Sequence, residues 1–178
     1  MADVFFEQFN LIPDYFLNIG QSSPNSQIAE IMVKLEELIK TQYKPDLLIV
    51  VGDVNSTLAA SITANKMGIK LAHLESGLRS FDNSMPEEHN RILTDKLSDL
   101  FFVTEPSGFD NLKKEDVDDQ RILFSGNTMI DTLVAFSDQI DKSEILEKLQ
   151  IVPEQYLLMT MHRPATVDEK NGLEKLLI

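Results

Sequence analysis

Residues 46–51 constrain the fold more than any other part of this chain. After Asp46 they form a continuous apolar run, Leu-Leu-Ile-Val-Val, without the alternation of apolar and polar residues that marks a half-exposed strand. A strand of this kind is typical of a parallel sheet that helices cover on both faces. The run leads directly into Gly52 and Asp53, so a carboxylate follows a strand that is predicted to be buried.

Three more strands are predicted further along the chain, separated by residues with helical spacing. The strands are expected at residues 70–74, 100–103 and 121–124. Helices are expected at residues 26–41, 55–66 and 107–114, from Pro86 onward, and after Asn127. Strands that alternate with helices of this length form right-handed βαβ units. The sequence therefore predicts the α/β class, with a Rossmann-like parallel sheet and flanking helices.

Shorter signals predict the helix ends, two further strands and a domain boundary. Asn55 or Ser56 is expected to cap the helix after the first strand, and Gly68 to end it. Residues 14–19 and 156–161 are each predicted to form a strand. We therefore expect two domains. Residues 1–135 would form a Rossmann-like domain that is incomplete at its start, and residues 136–178 a linker with the beginning of a second such domain.

The charge balance and the absence of cysteine exclude several classes of function. The chain carries 29 acidic and 16 basic residues, a net charge of −13, and no cysteine. An acidic chain repels nucleic acid and anionic membrane surfaces, so neither is expected as a partner. Without cysteine there is no disulfide framework and no thiolate site. With no signal-peptide pattern and no long apolar run, we expect a cytoplasmic protein.

Polar residues follow the predicted strands at the edge where ligands bind in open α/β sheets. They are Asp53, Glu75, Thr104, Asn127 and His162. Asp53 has an alternative role as a helix cap. Glu75 lacks that alternative, since no obvious helix follows it, and a carboxylate beside a buried strand is costly unless it is paired or used.

Other polar residues nearby have structural as well as functional interpretations. Glu87 and Glu88 open a helix, where the helix dipole favours acids. Arg79 and Arg91 are near enough in sequence to pair with these acids. His73, inside a predicted strand, is interpreted as a core histidine.

Several familiar catalytic and cofactor motifs are absent from the sequence. There is no P-loop, no Gly-x-Gly-x-x-Gly fingerprint and no Gly-x-Ser-x-Gly elbow. Asp53, Glu75 and His162 come from separate segments and lack the spacing of metal ligands on one helix. The sequence therefore predicts no metal site and no cofactor.

Five short motifs carry a resemblance to a known enzyme family. In chain order they are Gly52-Asp-Val-Asn-Ser-Thr-Leu-Ala-Ala, His73-Leu-Glu-Ser-Gly-Leu-Arg-Ser, Met85-Pro-Glu-Glu-His-Asn-Arg-Ile-Leu-Thr-Asp, Gly126-Asn-Thr-Met-Ile-Asp and Met161-His-Arg-Pro. Together they resemble the UDP-N-acetylglucosamine 2-epimerase family of the non-hydrolysing type. The resemblance covers nearly the whole chain.

The resemblance implies an architecture and a reaction. The fold would be of the GT-B type, with two Rossmann-like domains facing a cleft. The enzyme would interconvert UDP-N-acetylglucosamine and UDP-N-acetylmannosamine by eliminating UDP and adding it back, for polysaccharide biosynthesis. It would need no redox cofactor and would form a homodimer, with UDP-N-acetylglucosamine as substrate and as activator at a second site.

The resemblance also assigns roles to individual residues. As catalytic residues it implies Asp53, Glu75, Glu87 and His162, with Glu88 as the reserve for Glu87. The substrate would contact Asp53, Glu75, Arg79, Asn127, His162 and Arg163. Which carboxylate removes the C2 proton stays open.

The chain is expected to be a fragment, because the family's first strand and most of its second domain have no counterpart in it. We therefore expect little or no epimerase activity from the 178 residues alone. Exposed sheet edges should favour self-association. Three alternative functions remain: a hydrolysing 2-epimerase, a GT-B glycosyltransferase, and a non-catalytic module that binds sugar nucleotides.

Overall fold

The structure, a computed structural model, describes residues 2–160, and the chain divides into two compact units, Met1–Ile130 and Asp131–Ile178. The domain arrangement expected from the sequence stays a prediction.

In the first unit the elements are α1 (Ala2–Gln8), α2 (Pro24–Thr41), β1 (Leu47–Val51), α3 (Asn55–Met67), β2 (Lys70–Leu74), α4 (Pro86–Leu97), β3 (Leu100–Val103), α5 (Pro106–Lys114), a 3₁₀ turn (Asp119–Arg121) and β4 (Ile122–Phe124). Helix α6 (Thr128–Ala135) spans the boundary, and α7 (Ser137–Asp141) and α8 (Ile145–Lys148) follow.

The four strands form one parallel sheet in the order β1-β2-β3-β4. Val51 pairs with Leu74, so β1 and β2 end at the same level. The amide of Gly52 donates to the carbonyl of Leu74 over 3.1 Å and extends this pairing by one residue. The predicted α/β class with a Rossmann-like parallel sheet is confirmed, and the register places Asp53 and Glu75 after adjacent strand ends.

The burial of β1 differs from the prediction. Val50 packs in a core cluster with Ile39 of α2 and Ala64 of α3. Ile49 and Val51 point away from this cluster and are 55% and 52% exposed, so the strand is not buried on both faces. The face with Val50 packs in the cluster that includes residues of α2 and α3, and the face with Ile49 and Val51 is left exposed.

Helix α3 begins and ends as its local sequence requires, with one correction. Gly68 follows the helix at φ 66°, in the left-handed region that favours glycine, as predicted. Neither Asn55 nor Ser56 is the cap, because the helix already includes both residues. The capping position is Val54, which has no capping side-chain bond.

The two weaker strand predictions are wrong for the residues that the structure describes. Residues 14–19 form no strand; Asn18 has φ 49°, which is incompatible with an extended chain. Residues 156–160 form no strand either, and Leu157 is fully exposed at 100%. Position 161 lies outside the described residues. Between residues 2 and 160, no helix has the length and apolar character needed to cross a bilayer.

Candidate active site

The end of β2 makes a strained turn that places Glu75 beside the end of β1. Glu75 has φ 71°, a left-handed conformation that costs a residue with a side chain about 1–2 kcal/mol. The amides of Glu75 and Ser76 both donate to the carbonyl of Phe102, over 3.1 and 3.2 Å, and hold the turn. A Cβ built at Gly52 would lie 3.6 Å from Oε2 of Glu75. The Glu75 carboxylate therefore lies next to the residue that precedes Asp53.

Two carboxylates at this end of the sheet have no polar partner. Within residues 2–160, neither the half-buried Glu75 nor the exposed Glu87 makes a side-chain hydrogen bond or an ion pair. The backbone of Glu75 is strained, and strained residues cluster at functional sites, where the surrounding structure maintains them. Both acids are free to interact with a ligand.

The carboxylate of Asp53, in contrast, is bound to α4. Arg91 makes a short ion pair with Asp53 and also donates to Glu88 over 2.9 Å. Asn90 donates to the backbone carbonyl of Asp53 over 2.9 Å. Helix α4 thus holds both the side chain and the backbone of Asp53, which does not cap α3.

Glu88 is a structural carboxylate, in contrast to its neighbour Glu87. It is 1% exposed and accepts hydrogen bonds from the amide and hydroxyl of Ser80 and from the amide of Phe81. Burial alone would raise the pKa of Glu88. The bonds from Ser80 and Phe81 and the charge of Arg91 outweigh burial and lower that pKa. Glu88 therefore fixes the loop before α4.

Behind the strand ends lies a buried network of charged groups centred on Asp95. Arg79 pairs with Asp95 over 2.7 Å and with Glu115 over 2.9 Å, and its side chain is 3% exposed. Burial acts to lower the pKa of Arg79, but the two carboxylates raise it overall. Burial likewise acts to raise the pKa of Glu115, while Arg79 and Lys96 lower it overall. Nε and Nη1 of the Arg79 guanidinium are bound, whereas Nη2 is buried and makes no hydrogen bond within the described residues.

His73 joins this network to the end of β1. Its side chain is fully buried, with Nδ1 2.6 Å from Oδ1 of Asp95 and Nε2 2.8 Å from the carbonyl oxygen of Gly52. It is a core histidine with both nitrogens bonded, as the sequence predicts.

A pocket of about 630 Å³ in the first unit is lined by Glu87 and Asn90 among the residues described above, and not by Asp53 or Glu75. The first residues of three helices line it: Pro24 of α2, Asn55 and Ser56 of α3, and Pro86 and Glu87 of α4. Helix N-termini present free amides and positive dipole ends, which suit anionic groups. No cluster of three or more side chains able to hold a metal ion occurs in the described part of the chain.

The structure brings Asp53, Glu75 and Glu87 to one end of the sheet. Asn127 follows β4 and its side-chain oxygen accepts from the amide of Met129 over 2.9 Å, at the start of α6. His162 and Arg163 lie outside the described residues. The roles assigned to all these residues from the sequence remain predictions.

The sequence analysis missed two residues of α4, Asn90 and Asp95, which hold the site together. Both are buried, as are Glu88 and Thr94 of the same helix. Glu88, Arg91 and Asp95 recur at spacings of three and four residues, which places them on one face of the helix. A polar face of this kind on a helix beside a buried strand was the available signal.

Comparison with known proteins places this geometry in a family. The family model described as UDP-N-acetylglucosamine 2-epimerase matches residues 1–177. A UDP-N-acetylglucosamine 2-epimerase of Methanococcus maripaludis is 40% identical over 180 residues, which covers 99% of this chain and 49% of the relative. A UDP-2,3-diacetamido-2,3-dideoxy-D-glucuronate 2-epimerase of Pseudomonas aeruginosa is 36% identical over 95% of this chain and 47% of its own length.

A solved structure shows the same relationship. The crystal structure of the Methanocaldococcus jannaschii UDP-GlcNAc 2-epimerase, in complex with UDP-GlcNAc and UDP, matches with a TM-score of 0.88 and 37% identity. The match covers 99% of this chain and 49% of that one. The chain thus spans about half the length of the relatives that it matches. From the family model, the relatives and the fold, the chain belongs to the UDP-N-acetylglucosamine 2-epimerase family.

Proposed function

We propose that the complete protein carrying this chain interconverts UDP-N-acetylglucosamine and UDP-N-acetylmannosamine, and that this chain supplies one half of the active site. The observation that carries the proposal is the Glu75 carboxylate. It has no partner among residues 2–160, lies in a strained turn at a strand end, and is adjacent to Gly52 and Asp53. The complex of the M. jannaschii relative with UDP-GlcNAc and UDP supports the substrate class.

The reaction needs acids on more than one segment. The C2 hydrogen of an aminosugar is not acidic, so its removal requires a positioned base, and its return to the other face requires an acid. Elimination breaks the C2–H bond, whose electron pair forms the C1=C2 double bond while the base takes the proton. It also breaks the bond from C1 to the phosphate oxygen, and UDP leaves with the electron pair of that bond. Re-addition reverses both changes. Glu75, Asp53 and Glu87 come from three segments around one sheet end, which suits acid–base work on a sugar placed between them.

We assign different roles to these acids according to the partners that each one has. Glu75 and Glu87, which have no partner within residues 2–160, are the candidates for moving the C2 proton. Asp53 is oriented by Arg91 and Asn90 and would contact the sugar from the end of β1. His162, Arg163 and Asn127 are proposed to contact the substrate, and this part rests on their motifs. Arg79 belongs to the buried network, and its proposed contact with the substrate rests on its motif and on Nη2, which makes no hydrogen bond within residues 2–160.

The test is an assay of the complete protein with UDP-N-acetylglucosamine. We expect UDP-N-acetylmannosamine to form without free N-acetylmannosamine, since the proposed reaction adds UDP back. Free sugar together with UDP would show the hydrolysing reaction instead, and binding without turnover would show a non-catalytic module. The same assay with UDP-2,3-diacetamido-2,3-dideoxy-D-glucuronate tests for the activity that the P. aeruginosa relative is named for.

The 178-residue chain alone should show little or no turnover in this assay, because it spans half the length of its relatives. Robust turnover by the short chain would contradict the division of the site between two halves. A homodimer and a second, activating site for UDP-N-acetylglucosamine are part of the same proposal. Light scattering and the dependence of rate on substrate concentration test them.

A further inference from the structure

The two ring nitrogens of His73 both face oxygen atoms. Nε2 lies 2.8 Å from the carbonyl oxygen of Gly52, and Nδ1 lies 2.6 Å from the carboxylate of Asp95. A carbonyl oxygen only accepts hydrogen bonds, so Nε2 carries the proton in the first contact. The ring therefore donates to Gly52 from a position that the buried network holds fixed.

The carbonyl of Gly52 belongs to the peptide plane that contains the amide of Asp53. Because that plane is rigid, a bond to the carbonyl sets the direction in which the chain enters Asp53. On the other side of Asp53, the side chain of Asn90 donates to the Asp53 carbonyl over 2.9 Å. His73 and Asn90 thus hold the two peptide planes that flank Asp53.

The same residue, Gly52, also lies against the other acid of the site. It has φ 68°, and the point where its Cβ would be is 3.6 Å from Oε2 of Glu75. A shift of the Gly52 peptide would therefore alter both the position of Asp53 and the space beside Glu75.

We propose that His73 is a positioning residue for the epimerase reaction, acting through the Gly52 carbonyl on Asp53 and Glu75. The proposal rests on the proposed function. His73 touches no substrate, since its side chain is fully buried. Its partner Asp95 keeps two other donors, Arg79 at 2.7 Å and the amide of Gly77 at 3.1 Å. Between residues 2 and 160, the Gly52 carbonyl has no comparable second donor.

Two substitutions separate the two contacts of the ring. The amide nitrogen of glutamine reaches about as far as Nε2 of histidine, and that of asparagine about as far as Nδ1. His73→Gln therefore keeps a donor for Gly52 and loses the one for Asp95, whereas His73→Asn keeps the Asp95 contact and loses Gly52. Both remove the ring from the core, so both are expected to lower the melting temperature.

The expected result in the complete protein is a difference in kcat between these two variants. In His73→Asn, kcat should fall roughly 10- to 100-fold because Asp53 and Glu75 are misplaced, while KM stays near normal. In His73→Gln, most of the wild-type kcat should remain. Leu112→Ala, a core change in the cluster around β3 and α5, controls for lost stability and should leave kcat unchanged below its melting temperature. Equal kcat losses in the two His73 variants, or a normal kcat in His73→Asn, would overturn the proposal.

A second readout does not depend on turnover. Labelling glycine carbonyls with ¹³C and aspartate amides with ¹⁵N gives one signal for each Gly-Asp peptide, and residues 1–178 contain one such peptide, Gly52–Asp53. In the complete protein its signal is identified by its loss in Asp53→Asn. The ¹³C signal should move in His73→Asn and stay near its wild-type position in His73→Gln. If the wild-type protein shows no epimerisation, the proposed function fails, and this signal still decides the Gly52 contact. An unchanged signal in both variants would overturn the positioning role.

Discussion

The acids at the end of the sheet and those in the network behind it have the same chemistry and opposite surroundings. Asp95 and Glu115 are surrounded by donors: Asp95 binds His73, Arg79 and the amide of Gly77, and Glu115 binds Arg79 and Lys96. Glu75 and Glu87 make no such bond within the described range, 2–160. Both groups lie in the same α/β unit, between residues 75 and 115 of the chain.

The contrast shows how to assign roles to acids in one site. A buried carboxylate must be compensated by donors, and the donors then fix its position and remove its capacity to bind a ligand. A carboxylate at a strand end without donors keeps that capacity. We expect substitutions in the first group to alter stability and substitutions in the second to alter turnover.

Glu75→Gln should have the largest effect of the changes considered. It removes a proton acceptor without changing shape, so epimerase turnover of the complete protein should fall by roughly 10²- to 10⁴-fold. The free energy of unfolding should be unchanged, because Glu75 has no partner to lose among the residues that the structure describes. Initial rates and urea unfolding measure the two quantities.

The control for this variant is Glu37→Gln, on an exposed position of α2. It makes the same chemical change away from the sheet end and should alter neither quantity. A Glu75 variant with normal turnover would remove that acid from the proposed mechanism.

Asp95→Ala should have the largest effect on stability. It leaves Arg79 and His73 buried without their shared acceptor, and breaking a buried pair in this way costs about 3–5 kcal/mol. Urea unfolding monitored by circular dichroism measures the loss. A change below about 1 kcal/mol would mean that the network contributes little to the fold.

Gly77→Ala should destabilise the turn between these two regions. Gly77 has φ 76°, and a Cβ there would lie 2.2 Å from the carbonyl oxygen of Gly108 in α5. The left-handed backbone and the clash together should cost about 2–4 kcal/mol. Gly20→Ala is the matched control, because a Cβ at Gly20 meets nothing within 4 Å. Equal melting temperatures for the two variants would contradict the close packing of α5 on this turn.

Acidification should change the free energy of unfolding less than any of the substitutions above. The pKa values of Glu88 and Glu115 are lowered by folding from an ordinary value of 4.5. Their contribution to stability is therefore complete above about pH 4.5 and is lost as the pH falls through the lowered values. Glu88→Gln should lower the free energy of unfolding by about 1 kcal/mol at neutral pH and make that free energy depend less on pH below 4.5. A stability profile with the wild-type slope below pH 4.5 would contradict this assignment.

The positions of the site residues and the pairing of Arg91 with nearby Glu88 could be predicted from the sequence, but the contacts between distant segments could not. Asp53 and Glu75 follow apolar runs, so a parallel sheet brings them to one edge. Glu75 adopts a left-handed turn because its amide and the next one share the Phe102 carbonyl of β3, a contact between separate strands. The burial of Arg79 likewise depends on Asp95 and Glu115, which lie 16 and 36 residues further along the chain.

The exposed face of β1 shows a second limit. An apolar run indicates that a strand lies in a sheet, but it does not indicate whether elements cover both faces. Val50 is buried against α2 and α3, whereas Ile49 is 55% exposed on the other side. The same five-residue run is compatible with either arrangement, since the difference lies in what packs on it.

Exchange of the C2 hydrogen with solvent tests the central claim most directly. In D₂O the complete protein should incorporate deuterium at C2 of UDP-N-acetylglucosamine, observable by NMR and mass spectrometry. Glu75→Gln should abolish or strongly slow this incorporation while the variant still folds and binds the nucleotide sugar. Incorporation at the wild-type rate in Glu75→Gln would contradict the claim that the carboxylate without a partner at the end of β2 takes part in the proton transfer.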